Sequence, residues 1–167
     1  MSTPLQRIVA HFDLDSFFVS VEILNNPSLK GLNVTIPYKK LVIPFLQQLK
    51  EQGYLIALGS ASKNAQIILE KTGLITWFHA IIDGNKVSKS KPDPEVFQKG
   101  AEALGCSSEE CIVFEDSFNG MIAAKAARMK CVIVPHVTQQ KDERFGAADL
   151  KISSLQNFGE LHLNLVS

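Results

Sequence analysis

Short apolar runs alternate with helix-period segments along almost all of this 167-residue chain. Runs at 8–14, 54–59, 80–83, 111–115 and 131–135 are rich in Ile, Val, Leu and Phe and too short for helices, so each predicts a strand. Between them, segments 38–52, 63–72, 94–104 and 118–128 carry apolar residues at helical spacing. The first, within KKLVIPFLQQLKEQGY, stops at Gly53, a good residue to end a helix. Pro94 falls near a helix start, where its missing N–H costs little. Strands apolar on both faces, alternating with helices, predict a parallel sheet covered on both sides. Right-handed crossovers make it doubly wound. The expectation is one α/β domain over residues 1–167, with five parallel strands. The strand ending at Asp13 is expected at the centre, between those ending at Ser60 and Asp116. After His136 the pattern predicts a loop, then a weaker terminal strand and helix.

The composition narrows the partners. Seventeen basic residues balance seventeen acidic ones, so no net field draws nucleic acid or an anionic membrane. No uncharged apolar run approaches the length of a membrane span. The N-terminal MSTPLQRIVAHFDLD has charge inside its apolar run and does not read as a signal peptide. Cys106, Cys111 and Cys131 form an odd set without CxxC spacing, which predicts reduced thiols rather than a disulfide framework. These features together predict a cytoplasmic protein.

Four polar motifs stand at or near the ends of predicted strands, where open α/β sheets bind ligands. In DLD, Asp13 and Asp15 are two apart in extended chain and point the same way. They suit a nucleophile or metal ligand paired with a general acid/base, although a strand-end Asp is equally ordinary turn chemistry. In LGSASKN, Ser60 follows the strand and Ser62, Lys63 and Asn64 open a helix. Such a start suits a phosphate and also reads as a plain N-cap. In SKSKPDP, Lys91 is a candidate stabiliser of phosphoryl charge, against the alternative of a solvated loop lysine. In VFEDS, Glu115 and Asp116 are adjacent acids that repel unless a cation or partner relieves them. Clustered oxygen ligands of this kind suit Mg²⁺.

In order, spacing and flanking residues, these motifs resemble the haloacid dehalogenase superfamily of phosphotransferases, in particular its β-phosphoglucomutase-like branch of sugar-phosphate enzymes. The resemblance covers about residues 37–167 and implies a Rossmann-like core. It implies Asp13 as the nucleophile that forms an aspartyl-phosphate, and Asp15 as general acid/base whose carbonyl also meets Mg²⁺. Ser60 and Lys91 would hold the transferring phosphoryl group, and Ser62, Lys63 and Asn64 a second substrate phosphate. Asp13, Asp15, Glu115 and Asp116 would form the metal site. The substrate implied is a small phosphorylated metabolite. Between Asp15 and Tyr38 the chain is too short for the family's helical cap, which is expected to be absent or vestigial. Its absence implies a phosphatase rather than a mutase.

Residues 8–36, with HFDLDSFFVSVE, instead resemble the N-terminus of Y-family translesion DNA polymerases. There Asp13 would bind metal and Phe18 would gate against ribonucleotides. Ser16 stands where the phosphotransferase motif has glycine. The two resemblances meet near residues 33–38, the pattern of a chimera. It leaves open a folded but catalytically silent core, or a polymerase fragment. Only Arg7 and Lys30 are basic before Pro37, which argues against nucleic-acid binding.

Overall fold

The computed structural model describes residues 9–12 and 37–159. Among these residues six strands form one parallel sheet: β1 (Val9–Phe12), β2 (Leu55–Gly59), β3 (Ala80–Ile82), β4 (Cys111–Glu115), β5 (Lys130–Ile133) and β6 (Leu150–Lys151). Their order is β3-β2-β1-β4-β5-β6, so β1 is interior, with β2 and β4 beside it. That arrangement agrees with the sequence expectation. The count does not: β6 is added beyond the five strands expected, a two-residue edge strand too short to show periodicity. Beyond it the described chain forms a 3₁₀ turn at Leu155–Asn157.

Four helices connect the strands among the described residues: α1 (Pro37–Glu51), α2 (Ala65–Thr72), α3 (Glu95–Leu104) and α4 (Phe118–Ala126). Successive strand residues face opposite sides. Ile56, Leu58, Ile112, Phe114 and Val132 therefore pack with Phe45, Leu46 and Leu49 of α1 and Ile68 and Leu69 of α2. Ala57, Val113, Cys131 and Ile133 pack on the other side with Phe97 of α3 and Met121 of α4. On the first side three rings, Phe45, Phe114 and Phe158, meet edge-to-face at 4.9–5.8 Å, a geometry that favours the ring quadrupoles. Helices on both faces make the sheet doubly wound, as expected.

All four helices end in the same way. Within three residues of each end, the N–H groups of two consecutive residues bond back to carbonyls of the last turn, at Gly53–Tyr54, Gly73–Leu74, Gly105–Cys106 and Arg128–Met129. The first residue of each pair takes the left-handed conformation, glycine at three (φ 82°, 71° and 65°) but Arg128 at the fourth (φ 61°). A side chain there crowds the backbone. Arg128→Gly is expected to stabilise the protein by about 1 kcal/mol, raising Tm by roughly 2–4 °C in thermal melts. A lower Tm would refute this account.

Cys106, Cys111 and Cys131 are free thiols, as the sequence predicts. Burial, with the neighbouring Glu115 charge, pushes Cys131 up to about 12. Among the described residues no helix is long and apolar enough to cross a membrane.

Candidate functional site

In a parallel sheet all strands end on one edge. There the loops after β2 and β4 flank the end of β1, whose described part stops at Phe12, one residue before Asp13. Lys91, in the loop before α3, reaches this point. Its Nζ donates to the Gly59 carbonyl at 3.3 Å and lies 2.5 Å from Glu115 Oε1. β2 and β4 are two strand spacings apart, about 10 Å, so an ammonium touching the ends of both lies across β1. The Lys91 side chain is 6% exposed and that of Glu115 fully buried. The Phe97 ring lies 4.8 Å from Nζ.

Both oxygens of Glu115 accept hydrogen bonds. Oε1 takes Lys91, while Oε2 accepts the N–H groups of Asp116 and Ser117 and the Ser117 hydroxyl, at 2.9–3.2 Å. Ser117 in turn caps α4, its Oγ accepting from the Gly120 N–H at 3.0 Å. The carboxylate occupies the space where residue 120 would carry a side chain: a Cβ on Gly120 would lie 1.9 Å from the Glu115 carboxyl carbon. The expected pair of acids is thus divided. Glu115 is tied to Lys91 and to the loop N–H groups, so any cation it helped to hold would share it with them. Asp116, half-buried, follows at the end of β4.

Ser60 is fully buried. Its N–H donates to the Ile82 carbonyl at 2.9 Å, and its Oγ accepts from the Ser62 N–H at 3.1 Å. Ser62 Oγ accepts from the Asn64 N–H at 3.1 Å. This turn delays α2 to Ala65, two residues after its expected start, and leaves Lys63 and Asn64 exposed.

Sequence reasoning missed Glu95. One of its oxygens accepts the Ser88 N–H and hydroxyl and the Lys89 N–H, at 2.8–2.9 Å, and the other pairs with Lys99 at 2.7 Å. Lys99, followed by the Ser88 and Lys89 donors, lowers its pKa to about 2. Glu95 folds the loop that delivers Lys91; an acid in the first turn of a helix, where it also suits the helix dipole, was the available signal.

The structure therefore brings Lys91, Glu115 and the end of β2 before Ser60 together, with Asp116 next in chain. Asp13, Asp15 and Phe18, with all of residues 13–36, lie outside the described residues, as does the stretch where a cap would stand. Among the described residues, no group of three or more His, Cys, Asp and Glu side chains could hold a metal ion. Asp116 supplies a hard carboxylate donor of the kind Mg²⁺ prefers, on the strand next to the one leading to Asp13.

Comparison with known proteins names the family. A family model for haloacid dehalogenase-like hydrolases matches residues 5–128. The chain belongs to this family. Hexitol phosphatase B of Escherichia coli is 44% identical over 108 residues, 64% of this chain and 49% of that protein. β-Phosphoglucomutase of Bacillus subtilis is 41% identical over 87 residues, 52% of this chain and 38% of that protein. The chain thus spans about half, or less, of the length of these curated relatives. Among solved structures, a CbbY variant from Rhodobacter sphaeroides in complex with xylulose 1,5-bisphosphate superposes with a TM-score of 0.62 at 26% identity, covering 70% of this chain and 53% of that one. β-Phosphoglucomutase from Clostridium difficile gives 0.70 at 21% identity, covering 95% of each chain, a likeness of fold.

Proposed function

We propose that this hydrolase cleaves small phosphomonoesters, sugar phosphates in particular, through a phosphoryl-enzyme on Asp13. The observation that carries the reading is the Lys91 ammonium, buried and held across the end of β1 by the Gly59 carbonyl and Glu115. A fixed cation there faces the place where a phosphoryl group attacked from β1 would gather negative charge.

In this reading an Asp13 oxygen attacks phosphorus, the P–O bond to the sugar breaks, and Asp15 protonates the departing alkoxide. Asp15 then takes a proton from water, whose oxygen attacks phosphorus and frees Asp13 as inorganic phosphate leaves. Ser60 and Lys91 hold the phosphoryl oxygens, and Ser62, Lys63 and Asn64 the remote part of the substrate. Asp116, Asp13 and the Asp15 carbonyl would hold Mg²⁺, which would supply further neutralisation of phosphoryl charge. Relatives named as hexitol phosphatase and β-phosphoglucomutase, and a solved relative carrying a sugar bisphosphate, support this substrate class. The short stretch of sequence between Asp15 and Tyr38 supports water, rather than a second sugar hydroxyl, as the acceptor of the phosphoryl group.

The test is turnover of p-nitrophenyl phosphate and β-glucose 1-phosphate with Mg²⁺, following free phosphate and glucose 6-phosphate. Free phosphate is expected to dominate, and Asp13→Asn to lower the rate by about 10³-fold or more while the protein stays folded. Efficient glucose 6-phosphate formation would replace hydrolysis with mutase action. Equal rates for wild type and Asp13→Asn would end the covalent mechanism, and no turnover would indicate a silent core.

A further inference from the structure

The turn after β3 is built against the segment that opens α2, and no step of the reaction uses it. Asp83 is 4% exposed. Its two oxygens accept the Asn85 N–H at 3.0 Å and the Asn85 Nδ2 at 3.2 Å. The same Nδ2 donates to the Lys63 carbonyl at 2.8 Å, so both amide hydrogens are used. Gly84 adds a bond from its N–H to the Ser62 carbonyl at 3.0 Å. The approach is so close that a Cβ on Gly84 would lie 2.3 Å from the Ala61 carbonyl oxygen.

A buried carboxylate must find donors. Here the donors come from Asn85, which fixes that amide so that its remaining hydrogen meets Lys63. The backbone at residues 62 and 63 is thus set by a neighbouring turn, while Lys63 itself stays exposed. We propose that Asn85, oriented by Asp83, is a positioning residue for the part of the substrate remote from the transferred phosphoryl group. It acts through the Lys63 backbone and favours substrates with a second anionic group. The inference rests on the phosphomonoesterase reading above. It differs from simple termination of β3, because the bonds reach across to a segment that is itself a candidate substrate contact.

The experiment compares wild type, Asn85→Ala, Lys63→Ala and the double variant, using fructose 1,6-bisphosphate and p-nitrophenyl phosphate. Binding of the bisphosphate is also measured by titration calorimetry. Asn85→Ala is expected to raise KM for the bisphosphate roughly five- to tenfold at unchanged kcat. It should leave p-nitrophenyl phosphate kinetics unchanged and weaken calorimetric affinity by the same factor. Because the two residues act as one unit, Asn85→Ala should add less than about twofold in the Lys63→Ala background. Equal losses on both substrates, an unchanged bisphosphate KM, or full additivity with Lys63→Ala would overturn the proposal. If wild type turns over neither substrate, the hydrolytic reading fails by itself. Calorimetry then decides the turn: no binding by wild type, or equal affinity in Asn85→Ala, overturns the proposal, and weaker binding in the variant supports it.

Discussion

Gly120→Ala is expected to unfold the site from behind, although residue 120 touches no substrate in the proposed reaction. The new Cβ would fall 1.9 Å from the Glu115 carboxyl carbon, too close for both to remain. Glu115 cannot simply swing away, because its oxygens hold Lys91 and the Asp116 and Ser117 N–H groups. Displacing it breaks a buried ion pair, a loss of about 3–5 kcal/mol when one charge is left behind. Tm should fall by roughly 10 °C. Phosphatase turnover should fall with it, since Lys91 loses its anchor. Shortening the acid by Glu115→Asp in the Gly120→Ala background withdraws the carboxylate and should recover part of the stability. A Gly120→Ala protein as stable as wild type would show that Glu115 has another place to go.

Lys91→Met tests the same pair from the other side and separates stability from chemistry. Removing the ammonium leaves Glu115 buried and uncompensated, again at a cost of about 3–5 kcal/mol. Turnover should drop about 10²–10³-fold, the usual loss when a fixed stabiliser of transition-state charge is removed. The double variant Lys91→Met/Glu115→Gln neutralises the orphaned acid while its side-chain oxygen still accepts from Ser117. Most of the lost stability should return, and the lost turnover should not. Denaturant melts and p-nitrophenyl phosphate assays on wild type and the two variants read both quantities. A double variant as unstable as Lys91→Met would mean that charge is not the source of the loss.

The strands were legible because buried parallel strands are short, apolar and separated by helical periodicity. Their order followed from chemistry: motifs at Ser60 and Asp116 can serve one crevice only if their strands flank the strand leading to Asp13. What escaped was short or depended on distant segments. β6 contributes only Leu150 and Lys151, too few for an alternation to show. The two acids of VFEDS look equivalent in sequence. Their separation comes from Lys91, which arrives from another loop, and from the side chain that Gly120 lacks. Glu95 and Asn85 likewise act on segments six to twenty-two positions away, beyond what local patterns encode. The helix ends shifted for local reasons, α2 by the Ser62 turn and α4 by the left-handed Arg128.

The interior place of β1 bears on how this protein is made. The ladders on its two sides join it to β2 and to β4, so among the described residues β1 links β3-β2 to β4-β5-β6 within the sheet. Val9 pairs with Leu55 on one side and with Cys111 on the other. A chain leaving the ribosome can complete the first ladder early, but the second must wait for β4 to emerge. During that interval one side of β1 offers unpaired backbone N–H and C=O groups, the kind of edge that recruits other strands. Pairing so distant in sequence also slows folding. In the sheet that side of β1 is covered by residues 111–115, which follow it by about a hundred positions.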